Sequence, residues 1–143
     1  MSGTLKKILV VDDNPSNLTV INGILSALYK VYPVNSGDTA LKFLKKEHPD
    51  LILLDIEMPE MSGDNLMQII KSDPALADIP IIFLTAHSGI EIEAAAFKAG
   101  AADYIRKPVN DVVMLARVKM HLELEAYRKS NGKASEYDQT DGG

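Results

Sequence analysis

Leu51-Ile52-Leu53-Leu54-Asp55-Ile56-Glu57-Met58-Pro59 is the stretch whose reading decides the fold. Four apolar residues run without polar alternation into a carboxylate, and a proline ends the pattern. A run so short and uniform predicts a strand buried on both faces, as in a parallel sheet. Asp55 then falls where the strand leaves the sheet, the edge at which open α/β folds bind ligands.

Outward from this stretch the same pattern recurs. Ile8-Leu9-Val10-Val11 ends in Asp12-Asp13, and Ile81-Ile82-Phe83-Leu84 ends in Thr85-Ala86-His87. Val31-Tyr32-Pro33-Val34 is a shorter strand whose proline favours a sheet edge. Asp103-Tyr104-Ile105 is another, followed by Arg106-Lys107-Pro108. Between the strands, apolar residues take helical spacing. Asn14-Pro15 opens a helix carrying Leu18, Ile21, Ile24, Leu25 and Leu28, and Ser36-Gly37-Asp38 opens one carrying Ala40, Leu41 and Leu44. After a loop and cap at 60–64 comes a helix with Leu66, Met67, Ile69 and Ile70. Residues 90–99 form the next, closed by Gly100, and Asn110 caps a long helix reaching about Tyr127. Strands alternating with helices five times predict parallel βαβ units with right-handed crossovers, an α/β fold with helices on both faces.

The 143 residues suffice for one domain with a core. We divide them into a folded domain over 1–128 and a disordered tail or linker over 129–143, where Ser, Gly, Lys, Asp and Gln leave almost nothing to bury. A net charge of -5 argues against a nucleic-acid surface. The absence of cysteine excludes disulfides and thiolate metal sites. No apolar run is long enough to span a bilayer and no signal-peptide core begins the chain, so the expectation is a cytoplasmic protein with no membrane partner.

Asp12, Asp13, Asp55 and Thr85 all lie at carboxyl ends of predicted strands, and Lys107 lies just past the last one. Such ends share one rim of the sheet, so these groups can meet. Clustered carboxylates repel and raise one another's pKa unless a cation sits among them. An oxygen-only set suits Mg²⁺ or Mn²⁺. A hydroxyl and a lysine on the same rim suit phosphoryl oxygens, and a carboxylate can form an aspartyl-phosphate. Each residue alone has a plainer use: Asp12-Asp13 as a helix cap, Asp55 as a loop acid, Thr85 as a β-branched strand residue, Lys107 as a surface cation, Tyr104 as packing.

The ordered set Asp12-Asp13, Asp55, Thr85-Ala86 and Lys107-Pro108 on alternating elements resembles the receiver domain of two-component response regulators, over roughly Lys6 to Tyr127. The resemblance implies a doubly wound, five-stranded parallel sheet in the order 2-1-3-4-5. It implies that Asp55 accepts a phosphoryl group from a phosphohistidine on a sensor histidine kinase or phosphotransfer protein. Asp13 and Asp55 would bind Mg²⁺ directly, Asp12 through water, and Glu57 through its backbone carbonyl. Thr85 would hydrogen-bond the phosphoryl group, and Lys107 would pair with it or with Asp55. Lys107-Pro108 would be cis, and Ala86 would leave room for phosphoryl oxygens. Tyr104 would follow Thr85 and switch the surface of the fourth helix, fifth strand and fifth helix. Such a domain is a signalling switch that assists only its own phosphorylation and dephosphorylation, not an enzyme with an external substrate.

Some positions stay open. His87 could reach attacking water or stand idle; His48 and His121 read as surface residues. On the last helix Leu115, Val118 and Leu122 can face the sheet, while Val113, Met120, Leu124 and Tyr127 form a second stripe. That stripe is either core or a surface for a homodimer, a partner or an output module. Leu115-Ala116-Arg117-Val118-Lys119 also resembles receivers that precede cyclic-dinucleotide output domains. Two other families share part of this pattern. A haloacid dehalogenase-type phosphohydrolase also uses a strand-end Asp nucleophile, but its other acids come late in the chain. A flavin-binding domain of the same topology needs a phosphate loop after the first strand, and that loop here is acidic.

Overall fold

A computed structural model of the chain describes residues 4–59, 61–87 and 89–142, with side chains as far as Ser130. The elements run β1 (Lys7–Val11), α1 (Pro15–Leu25), β2 (Lys30–Val34), α2 (Gly37–Lys46), β3 (Leu51–Asp55), α3 (Gly63–Lys71), β4 (Ile81–Thr85), α4 (Ile90–Ala99), β5 (Asp103–Arg106) and α5 (Asp111–Gly142). The strands form one parallel sheet in the order β2-β1-β3-β4-β5. Pro33 therefore sits in an edge strand, where its missing N–H costs the ladder nothing.

The side-chain period of two divides the core between the sheet's faces. Leu9, Val11, Ile52, Leu54, Ile81 and Phe83 pack toward α2, α3 and α4, with Ala40, Leu44, Leu66, Met67 and Ile70. Ile8, Val10, Leu51, Leu53, Ile82 and Leu84 pack toward α1 and α5, with Ile21, Leu25, Met114 and Val118. Both sets are buried, so the central strands tolerate no polar alternation; each Val, Leu, Ile, Phe or Met side chain among them contributes about 1.5–3 kcal/mol of transfer free energy.

Local chemistry sets the helix ends. Asn14 caps α1 through Oδ1, which accepts from Ser16 N and Asn17 N, and Pro15 follows it at the first turn. Ser36 caps α2, Ser62 caps α3 and Asn110 accepts from Val113 N to cap α5. Gly100 ends α4 at φ 108°, a left-handed conformation that favours glycine.

The differences from the sequence expectations have local causes. α1 stops at Leu25, so Leu28 lies in a turn and is exposed rather than on the buried stripe. Ile69 points away from the core while Leu66, Met67 and Ile70 enter it. On α5, Met114 and Val118 are the fully buried pair; Leu115 and Leu122 flank them. His121, expected at the surface, is buried against Asp103 of β5 because it continues the Met114–Val118 row. The segment expected as a disordered tail from 129 to 143 is helical in its backbone as far as Gly142. It contains no proline, so no missing N–H interrupts the helix. Among the described residues no helix is long and apolar enough to cross a membrane.

Candidate functional site

Parallel strands place their carboxyl ends on one rim, and the neighbouring order β1-β3-β4-β5 sets the acids, the threonine and the lysine side by side. Asp12 follows β1, Asp55 ends β3, Thr85 ends β4, and Lys107 follows β5. Asp12 and Asp55 are 0% and 1% exposed, and Thr85 is buried as well. Asp13 and Glu57 stand at the open side of the same rim.

Lys107 Nζ lies 3.0 Å from Asp12 Oδ2 and 3.2 Å from Asp55 Oδ1. Asp55 Oδ1 also accepts the backbone N–H of Glu57 at 3.1 Å. Both of these contacts fall on Oδ1. Burial pushes the Asp55 carboxyl up to about 6; the Glu57 N–H opposes this, the Asp12 charge adds to it, and Lys107 opposes it. For Lys107, burial acts to lower the pKa, but the bonds and charges of Asp12 and Asp55 outweigh it and raise the group above its usual value.

Ligand oxygens of Asp12, Asp13 and Asp55 all lie within 4.8 Å of one another. An all-oxygen set without imidazole or thiolate fits a hard divalent cation. A cavity of about 360 Å³ opens beside Asp13, walled by Ser36, Asp38, Met58, Pro59 and Met61.

Thr85 Oγ1 accepts the backbone N–H of His87 at 3.0 Å, and Thr85 O accepts Lys107 N at 2.7 Å. The loops after β4 and β5 are thus tied to one residue. Ala86 and Pro108 are exposed beside it, and the Lys107–Pro108 bond is cis. His87 Nε2 contacts the Glu57 carboxylate, both groups largely exposed, so this pair stands at the mouth of the pocket rather than inside it. Tyr104 is half-buried on β5 opposite Phe83; its hydroxyl donates to Glu93 Oε2 of α4 at 3.1 Å and its ring meets Phe97 edge-on.

Two groups of contacts escape a reading of the sequence. The Asp12 carboxylate accepts Asn14 N at 2.9 Å and Asn17 Nδ2 at 3.2 Å. Asp103 Oδ2 accepts from Arg117 Nη1 at 2.9 Å and lies 3.0 Å from His121 Nε2, joining β5 to α5. Asn17 is signalled only by its place in the first turn of α1, where a side chain leans back toward the strand it follows. His121 is signalled only by its spacing from Met114 and Val118.

Residues 8–119 match the family model described as Response regulator receiver domain. The chain is 43% identical over 116 residues to a protein of Vibrio cholerae named "Probable cyclic di-GMP phosphodiesterase", covering 81% of this chain and 26% of that protein. It is 33% identical over 118 residues to the polar-differentiation response regulator DivK of Brucella ovis, covering 82% and 96%. The signal receiver domain of a histidine kinase from Syntrophus aciditrophicus superposes with a TM-score of 0.75 at 38% identity, covering 82% and 90%. The chain thus spans about a quarter of the first relative and nearly all of the second.

Proposed function

This chain belongs to the response regulator receiver domain family, and on that premise we propose that Asp55 is its phosphoacceptor and Thr85 and Tyr104 are its switch. The observation that carries this reading is Lys107 Nζ held between the buried carboxylates of Asp12 and Asp55 on the strand-end rim.

Asp55 attacks phosphorus through a carboxylate oxygen. The bond from phosphorus to the donor imidazole nitrogen breaks, and the imidazole leaves as a neutral group after taking a proton. Asp55 Oδ1 is engaged by Glu57 N–H and Lys107, which leaves Oδ2 as the oxygen these donors do not hold. Asp12, Asp13, Asp55 and the carbonyl of Glu57 would hold Mg²⁺, with Mn²⁺ a substitute. Bound there, the metal supplies positive charge to the acids and to the transferring phosphoryl oxygens. Lys107 orients Asp55 and can give a donor to a phosphoryl oxygen. Thr85 supplies its hydroxyl proton to another while still accepting from His87 N. Ala86, with only a methyl group, leaves that approach open, and Pro108 fixes the turn that brings Lys107 back.

Phosphorylation adds charge and acceptor oxygens at the rim, drawing Thr85 inward. Tyr104 then gives up Glu93 and repacks, and the α4–β5–α5 surface changes. Ile90, Phe97, Val113, Met120, Leu124 and Tyr127 are exposed on α4 and α5, which supports a homodimer or partner surface there. The donors would be a sensor histidine kinase or phosphotransfer protein, and the cytoplasm the compartment.

The test is radiolabel transfer from acetyl phosphate, and from a phosphorylated histidine kinase, with Mg²⁺ present. Wild type takes up label, chelation of Mg²⁺ before the donor is added prevents that uptake, and Asp55→Asn takes up none. Equal labelling of Asp55→Asn would overturn the assignment.

A further inference from the structure

We propose that Asn17 is a positioning residue of the acid pocket: its Nδ2 holds the Asp12 carboxylate in the orientation that seats Lys107 between Asp12 and Asp55. The inference rests on the reading of Asp55 as phosphoacceptor and of Lys107 as its cationic partner.

Asp12 is fully buried, so every bond to its carboxylate counts. Oδ1 accepts Asn14 N at 2.9 Å; Asn17 Nδ2 spans the carboxylate, 3.5 Å from Oδ1 and 3.2 Å from Oδ2; Lys107 Nζ completes Oδ2 at 3.0 Å. A carboxylate has about four lone-pair directions, and these donors engage both of its oxygens. The torsion that turns a carboxylate about its stem is soft and broad, so only its partners fix the plane. Asn14 N holds one oxygen alone and permits rotation about that contact. Asn17 Nδ2 bonds the other oxygen at 3.2 Å and opposes that rotation. The plane of Asp12 in turn sets where Oδ2 meets Lys107, whose ion pairs among the described residues are with Asp12 and Asp55.

The placement follows from the helix start. Asn14 caps α1 and Pro15 opens it, so Asn17 is the third helical residue. Side chains of a first turn tilt back toward the helix N-terminus, which lies directly beyond β1. An amide there is a donor to a carboxylate. An aspartate in its place would set a second negative charge against Asp12.

The test uses the whole chain, with Asn17→Ala and the isosteric Asn17→Asp, and four readouts. These are the urea midpoint, the ¹⁵Nζ resonance of Lys107 in lysine-labelled protein, Mg²⁺ affinity by NMR titration without phosphodonor, and labelling by acetyl phosphate. The expected result is a shifted Lys107 resonance and about tenfold slower labelling in both variants, with the fold retained at a lowered urea midpoint. Asn17→Asp also binds Mg²⁺ more tightly, because it adds negative charge. A merely structural role would weaken folding and metal binding together and leave the Lys107 resonance in place. Wild-type labelling and an unmoved Lys107 resonance in both variants would overturn the inference, even while Asp55→Asn remains unlabelled. Undiminished labelling of Asp55→Asn would instead remove the functional reading beneath it.

Discussion

Gly63 packs so closely on Asp55 that a Cβ there would stand 2.6 Å from the Asp55 carbonyl oxygen, and 2.7 Å from Ile56 Cα. Both atoms are backbone at the end of β3, and Gly63 N also donates to Ile56 O at 2.9 Å. The start of α3 thus rests directly on the strand end that carries the acid. Gly63→Ala must displace one or the other. We expect a loss of about 1–3 kcal/mol in urea unfolding, as for other overpacked sites, together with slower labelling of Asp55. A wild-type urea midpoint would show that the loop yields without cost.

Asp55 titrates near 6 in the fold, against an ordinary value of 3.8. A raised acid favours the folded state below the unfolded pKa, and that contribution is lost as pH rises through about 6. In chelator at pH 7.5 the charged Asp55 therefore weakens the fold. Asp55→Asn should be more stable there by about 2 kcal/mol, with the gain shrinking toward zero near pH 4. A gain that is flat from pH 4 to 7.5 would show that charge is not its source.

Asp103 shows the opposite sign. Its burial acts to raise the carboxyl's pKa, but the bonds from His121, Tyr104 N and Arg117 together outweigh it and hold the group below its ordinary value. The stabilisation is present above the unfolded pKa and is lost as pH falls through the lower, folded one. Asp103→Asn should cost about 2–3 kcal/mol at neutral pH and leave unfolding less sensitive to acid below pH 4. Thermal melts of both proteins across that range decide it. An unchanged melting temperature at pH 7 would show that Arg117 and His121 find equal partners in water.

The Tyr104 phenol is raised above its usual pKa, chiefly by its bond to Glu93. Glu93→Ala should bring it back toward the ordinary tyrosine value in a spectrophotometric titration referenced to Tyr104→Phe. It should also favour the switched surface, since the hydroxyl loses its anchor on α4. That bias would appear as beryllofluoride-like amide shifts in α4 and β5 without any phosphodonor. A Tyr104 titration identical to wild type would show that the contact with Glu93 is not held in solution.

Much of this arrangement was legible because a parallel sheet converts sequence order into spatial adjacency. Unbroken apolar runs at Ile8–Val11, Leu51–Leu54 and Ile81–Leu84 located the central strands, and their polar followers had to share one rim. The strand order itself came with the family resemblance, not from the runs. The contacts that orient the acids were not legible. Asn17 and Gly63 act through the approach of a helix start to a strand end, a distance no periodicity encodes. Asp103 and His121 are polar residues buried as a pair, and hydropathy alone assigns each to the surface. Met114 was missed because the offset stripe of Val113 and Met120 masks the row that actually faces the sheet.

α5 begins beside the acid rim at Asp111 and continues to Gly142, and the Asp103 clasp grips it at Arg117 and His121. The helix stays against the body as far as Lys129, which shares a cavity wall with His48 and Pro49, and its backbone runs about 20 Å further to Gly142 at 1.5 Å per residue. A tilt of about 5° there, too slight to disturb the packing around Met114 and Val118, would sweep the distal tip through about 2 Å. Mechanical gain of this kind would enlarge a small readjustment of the helix start into a greater displacement at its tip.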